Sequence, residues 1–291
     1  MLHSEQNDMV RESLASQEKI TGKMESLVEH LRHAGVSRAQ ATRYLQQVRT
    51  FRAQLQIAFA PADVGRVLDA LELMVELHLE QAPRPDGTPY IEHPLAVASQ
   101  VLEAMAHKDP DVVVAALLHD AVEDQTARLA QKVRERTASE GKAEAQLALD
   151  AIEERTRSVR VRSMITGLTN PDFEILLEQK GLPKRTADTG QAAFIAARNA
   201  LYAEHVRDAI RDPDVGLIKL FDFAANALTL DAVPDAPTRT RLLTKYMPVM
   251  AIMLDRLRET ATPLNITPHK REELIARFAD ALQTYSGKEG G

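Results

Sequence analysis

Apolar residues recur along this chain at intervals of three and four, with polar residues between them, and no stretch alternates convincingly in the manner of a strand. Ser37 is an N-cap residue type, and it opens a helical run through Tyr44, Leu45, Val48, Phe51, Leu55 and Ile57. A second helix is expected from Pro61 to about Leu79, with Val64, Val67, Leu68, Leu71 and Met74 on one face. Gln81 to Gly87 carries Pro83, Pro85 and Asp86-Gly87 and reads as a loop with a turn. Pro94 marks a helix start, and Asp109-Pro110 marks another, whose helix delivers His119 and Asp120 near its C-terminal end. Residues 125–160 are charged and Ala-rich and read as one or two solvated helices. Thr166 to Pro171 is expected to break, and 176–191 to form a polar loop. The helical period returns from Ala192 to Arg211 and again after Asp212-Pro213, until Pro234 and Pro237 close that segment. Helices near 238–260 and 268–285 finish the chain.

Composition supports this all-α reading. The 291 residues are 44% hydrophobic and 27% charged, with 12 glycines, no Trp and 4% aromatics. The core must therefore be built from Leu, Val, Ala, Ile and Met, and the low glycine content suits helices. The net charge of −6, without a long basic run, disfavours nucleic acid as a partner. Cysteine is absent, which excludes disulfides, thiolate nucleophiles and Cys-ligated zinc. No apolar stretch is long enough to span a bilayer and no apolar signal core is present, so no membrane partner and a cytoplasmic location are expected.

Three apolar helical contexts deliver polar groups that packing does not call for. They are Tyr90-Ile91-Glu92-His93-Pro94, then His119-Asp120, then Asp222 within Ile218-Lys219-Leu220-Phe221-Asp222. Charge is costly in an apolar environment unless it is paired or bound to a metal. Two imidazoles and two carboxylates form a mixed N/O set that suits Mn²⁺, Fe²⁺, Co²⁺ or Zn²⁺ better than Ca²⁺. Four protein ligands leave room for water, which a metal makes acidic enough to act as a nucleophile near neutral pH. His78 reads as a surface or packing residue, and Met247, Met250 and Met253 as a core or interface stripe.

The order His93, His119-Asp120, Asp222 resembles the HD-domain metal signature, and the flanking residues resemble its Rel/SpoT alarmone-hydrolase branch. Arg84 to Ala98 is similar to that branch's stretch of Arg, a short turn, Gly-x-Pro-Tyr-Ile-x-His-Pro and Val-Ala. Ala115 to Asp124 is similar to Ala-Ala-Leu-Leu-His-Asp-x-Val-Glu-Asp, and Ile218 to Leu230 to Ile-Lys-Leu-Ala-Asp-Arg-Leu-His-Asn-Met-Arg-Thr-Leu.

The resemblance implies an HD-domain helical bundle over residues 61–235. Outside that span, the Gln- and Arg-rich residues 1–60 read as a helical extension that packs on the main domain or on a partner, and residues 236–291 as C-terminal helices packing on the domain. The resemblance also implies cleavage of guanosine 3′-pyrophosphates, with Mn²⁺ as the usual metal and other divalent transition metals as substitutes. His93, His119, Asp120 and Asp222 would be the ligands. Glu123 and Asp124 would handle protons and orient the attacking water. Asn226 and Thr229 would contact the nucleotide, Arg84 would lie against the guanine, and Lys219 would reach a phosphate. With no room for a synthetase domain after residue 230, a hydrolase-only protein is expected, similar to the small alarmone hydrolases and open to homo-oligomerisation. The chain departs from the pattern at Phe223, where the family has Arg, and at Ala225, where it has His. The family's His-x-Gly-Gln stretch is not preserved, with His78 and Gln81 nearby. Two other readings therefore stand beside the first: a phosphohydrolase for another nucleotide, such as a phosphorylated nicotinamide dinucleotide, and a nucleotide-sensing regulator that retains the pocket.

Overall fold

The computed structural model describes residues 36–84, 87–135, 142–183, 191–233 and 235–286. Among them all regular structure is helical, as the apolar period predicts. The part of the expected helical extension before residue 36 falls outside the described residues. So do 136–141 of the charged stretch, most of the 176–191 loop's second half, and Pro234.

Two compact units divide the chain. The described part of the first takes in residues 36–103 and 108–165, and that of the second takes in 104–107 and 166–286.

In the first unit, helix α1 (Arg38–Ala58) starts in a capping box: the Ser37 hydroxyl accepts the Gln40 N–H while the Gln40 carboxamide turns back to the Ser37 N–H. Its buried stripe is Tyr44, Val48, Phe51 and Leu55. Ile57, expected on that stripe, is 89% exposed. Two residues past Leu55 is about 200° around the helix, on the opposite face. Helix α2 (Pro61–His78) buries Val64, Val67, Leu68, Leu71 and Met74 as predicted, and also Ala70, Leu73, Val75, Leu77 and His78. Its apolar face is wide because it packs against α1, α4 (Pro110–Leu117), α5 (Ala121–Arg134) and α6 (Glu144–Thr156), and Asp63, Arg66, Asp69, Glu72 and Glu76 form its polar stripe. Helix α3 (Glu92–Ala104) carries Pro94 in its first turn, where an amide would have no intrahelical partner anyway.

Helix α4 begins at the Asp109 cap, whose carboxylate accepts the Asp111 N–H at 2.9 Å. Its residues Val112 to Leu117 are all buried. The sequence places His119 and Asp120 near its C-terminal end. The helix ends at Leu117, and residues 118–120 form a turn before α5. Leu118 (φ −106°, ψ 11°) and Asp120 (φ −92°, ψ −6°) sit in the turn region of backbone space.

The second unit receives the end of α7 (Val159–Leu168), so the break expected from Thr166 begins only after Leu168. Helix α8 (Phe173–Gln179) replaces part of the expected loop. Asp172 caps it by accepting from the Glu174 and Ile175 N–H groups, and Phe173 and Leu177 give it a buried side that the polar residues around them obscured. Helices α9 (Gln191–Ala209), α10 (Pro213–Ala227) and α12 (Pro268–Ser286) pack against α11 (Ala236–Arg258). Met250 and Met253 of α11 are buried. No described helix is long and apolar enough to cross a membrane.

Gly216 lets α10 approach the Ile210 carbonyl, which also accepts the Nε–H of buried Arg256 at 2.8 Å. A Cβ at position 216 would lie 2.9 Å from that oxygen and 2.8 Å from Leu264 Cδ2. Helix propensity alone favours Ala over Gly by about 1 kcal/mol. Close packing reverses the sign, and Gly216→Ala should destabilise the protein by about 1–3 kcal/mol. A urea midpoint at or above that of the wild type would contradict this.

Candidate metal centre

The apolar sequence of α4 sets where the centre lies. A helix whose residues Val112 to Leu117 are all buried carries its C-terminus into the interior, and Leu118 then leads to His119 and Asp120. His119 is 2% exposed and His93 6%. One donor atom from each of His93, His119 and Asp120 lies within 4.8 Å of the other two.

His93 is held by the start of α3. Its N–H donates to the Tyr90 carbonyl at 2.9 Å, and that of Glu92 to the Pro89 carbonyl at 3.1 Å. From α1, Arg43 donates to the Glu92 carboxylate at 2.7 Å and Gln47 at 3.4 Å. The helix before Pro61 therefore anchors the turn that presents His93.

The protons of His119 follow from its partners. Nδ1 lies 2.8 Å from the Ala116 carbonyl oxygen, which only accepts, so Nδ1 carries the hydrogen. Nε2 then presents a lone pair, and the Asp120 Oδ2 lies 3.1 Å from it. His93 Nε2 is 3.7 Å from the same oxygen. Lone pairs facing a carboxylate at this range repel unless a proton or a cation sits among them. A carbonyl that fixes the far nitrogen of an imidazole is the usual support of a metal-ligating His. The donor set thus fits a divalent metal.

Tyr90 completes the surroundings of Asp120. Its hydroxyl donates to Asp120 Oδ2 at 2.5 Å and also lies against Asp124. Burial, then the charges of Asp120 and Asp124, push the phenol far above the ordinary tyrosine range, so it stays a neutral donor. His78 stacks on the Tyr90 ring at 5.3 Å and 26°. Burial lowers the His78 pKa, so the ring is neutral at pH 7. Gln81 bonds both His78 and Asp124. Sequence reading set His78 aside as a surface or packing residue, although His78 and Gln81 stand three apart as in the family stretch, with Glu80 where that stretch has Gly. The signal present was a His at the end of the apolar face of α2.

The other candidates fall as follows. Glu123 and Asp124 are exposed in the first turn of α5, where negative charge suits the helix dipole. Arg84 is half-buried in the preceding loop, where a turn is closed by the Gly87 N–H on its carbonyl and its own N–H on Thr88. Gly87 has φ +81°, a conformation that favours glycine. Asp222 and Asn226 belong to the second unit, one turn apart on α10. The Asn226 amide donates to the Asp222 Oδ1 at 2.9 Å and to its carbonyl at 3.0 Å. Thr229 is exposed just past α10 and donates to the Ala225 carbonyl. Lys219 is 5% exposed, and its Nζ donates to the Leu168 carbonyl at 2.7 Å. Phe223 is buried, with its ring 5.4 Å from that of Tyr246 and 6.1 Å from that of Phe278.

Residues 70–257 match the HD domain family. Guanosine-3′,5′-bis(diphosphate) 3′-pyrophosphohydrolase MESH1 of Homo sapiens is 38% identical over 69 residues, which is 23% of this chain and 38% of its own. A Haemophilus influenzae protein of the same enzyme name is 38% identical over 99 residues, 32% of this chain and 14% of its own. The bifunctional (p)ppGpp synthase/hydrolase RelA of Mycobacterium tuberculosis is 44% identical over 66 residues, 23% of this chain and 8% of its own. Each match spans well under half the length of the relative.

His119→Ala and Asp120→Ala should each abolish retention of a divalent metal, as read by elemental analysis of the purified protein. Tyr90→Phe should leave the fold intact and weaken metal affinity by about 10–100-fold. Unchanged metal content in His119→Ala would sink the ligand assignment.

Proposed function

Because this chain belongs to the HD-domain family, we propose that it is a metal-dependent phosphohydrolase that cleaves the 3′-pyrophosphate of guanosine alarmones, (p)ppGpp, giving pyrophosphate and GDP or GTP. The observation that carries this reading is the group of buried His93 and His119 with half-buried Asp120, followed in the next helical turn by two carboxylates, Glu123 and Asp124. The names of the relatives support the guanosine substrate.

The proposed ligands are His93, His119, Asp120 and Asp222, and the proposed metal is Mn²⁺. Bound there, the cation would supply an acidified water and neutralise phosphate charge. Asp124 would accept the proton of the attacking water, its carboxylate held by Gln81 at 2.8 Å. Glu123 would orient that water. Asn226, which fixes one oxygen of Asp222, would also face the nucleotide with Thr229, and Arg84 would stack on the guanine. Lys219 enters the proposal as a tether and not as the expected phosphate contact, because its ammonium group is buried on the Leu168 carbonyl.

Phe223 favours a second reading, in which the same chemistry acts on another nucleotide. The family's Arg position is occupied here by a ring packed on Tyr246 and Phe278, so any phosphate contact of that Arg is lost.

Incubation of the purified protein with Mn²⁺ and ppGpp, with the products resolved, decides between the readings. Release of pyrophosphate is expected. Turnover of a different nucleotide only would establish the second reading. Tight binding of nucleotide without turnover would mark a regulator and overturn both. Asp124→Asn should keep the metal and lower kcat by about 10²–10⁴-fold.

A further inference from the structure

We propose that His78 and Gln81 are positioning residues that aim the Asp124 carboxylate through a chain of hydrogen bonds whose polarity is set at every link. The inference rests on the reading above, in which Asp124 takes a proton during hydrolysis.

The chain is read from its acceptor end. Asp124 Oδ2 lies 2.8 Å from a terminal atom of the Gln81 side chain, and an ionised carboxylate only accepts, so that atom is the Gln81 amide nitrogen. The carbonyl end, Oε1, must then face the other way. It does so towards two groups: His78 Nδ1 at 2.6 Å and Gln125 Nε2 at 3.2 Å. Both must donate. His78 is therefore the Nδ1–H tautomer, and its Nε2 is a bare acceptor. That nitrogen is buried and has no hydrogen-bond partner. A buried acceptor without a donor is consistent with this tautomer, whereas the opposite tautomer would bury an N–H there and set two acceptors 2.6 Å apart.

The surroundings hold this arrangement in place. His78 is 1% exposed and is stacked on Tyr90, so its ring cannot rotate without disturbing the group that donates to Asp120. On a regular helix, successive side chains diverge by about 100°, so Asp124 and Gln125 would not both reach one partner. Here the backbone leaves the helical region at Gln125 (φ −127°, ψ 23°), and both side chains meet at Gln81. Asp124 itself is exposed, and water alone gives an exposed carboxylate no single orientation. A base must be held in place to be effective, and a misplacement of about 1 Å can lower a rate by about 10²-fold.

The test measures kcat, KM and metal content for the full-length protein with Mn²⁺ and ppGpp, alongside histidine ¹⁵N spectra of the metal-free protein. Gln81→Met keeps the side-chain shape but cannot form the hydrogen bonds. It should lower kcat by about 10–100-fold, with KM within about twofold and metal content unchanged. Gln81→Glu sets a carboxylate against Asp124 and should lose more. His78→Phe keeps the ring stack and removes only the donor, so it should lower kcat by about 3–10-fold. In the spectra, His78 should be neutral with its hydrogen on Nδ1, and that signal should shift in Gln81→Met. Wild-type kcat in a metal-replete Gln81→Met, or His78 found with its hydrogen on Nε2, would overturn the proposal. Should the wild type fail to hydrolyse ppGpp, the enzymatic reading falls, and the spectra still decide whether the chain of fixed polarity exists.

Discussion

Between His119 Nε2 and Asp120 Oδ2, 3.1 Å apart, a lone pair faces a carboxylate, and only a proton or a cation makes that arrangement favourable. The first unit follows from this constraint. The Nδ1 hydrogen of His119 is committed to the Ala116 carbonyl, so the ring cannot relieve the repulsion by changing tautomer without losing that bond. The carbonyl is available because α4 ends one residue later, leaving its last carbonyls without intrahelical partners. A helix buried from Val112 to Leu117 thus brings a histidine into the interior and supplies the acceptor that orients it.

Polar groups around this point are arranged in layers. Tyr90 donates to Asp120, His78 stacks on Tyr90, and Gln81 joins His78 to Asp124. On the other side of His93, Glu92 is tied to Arg43 and Gln47 of α1. Charge near a low-dielectric interior is affordable when it is hydrogen-bonded, and Asp120, Asp124 and Glu92 each accept from a neighbouring side chain. Residues 38–58, outside the span that resembles the family, share in this support.

Helix α10 of the second unit carries two tasks on one backbone. Leu217, Ile218, Leu220, Phe221 and Phe223 are buried, while Asp222 and Asn226 face a half-exposed side one turn apart. Phe223 shows the consequence of that division. A position where the resemblance implies a cation has been given to ring packing with Tyr246 and Phe278. Lys219 shows the reverse, a cation placed within the apolar side and discharged on the Leu168 carbonyl. In each case the neighbours within the unit, and not the residue type, decide the use of the side chain.

The helical class, the caps at Ser37, Asp109 and Asp212, the apolar face of α2 and the candidacy of His93, His119 and Asp120 were all legible in the sequence. They depend on periodicity, on local capping chemistry and on rare residue types in apolar runs, which are properties of neighbours along the chain. Other features came only with tertiary structure: the turn at residues 118–120, the exposure of Ile57, the helix at Phe173–Gln179, the burial of Lys219 and the bond between His78 and Gln81. Each depends on what lies across from a residue in space. The partner atoms involved, such as the Leu168 carbonyl or the Gln81 carboxamide, are generic groups that leave no signature in composition or spacing.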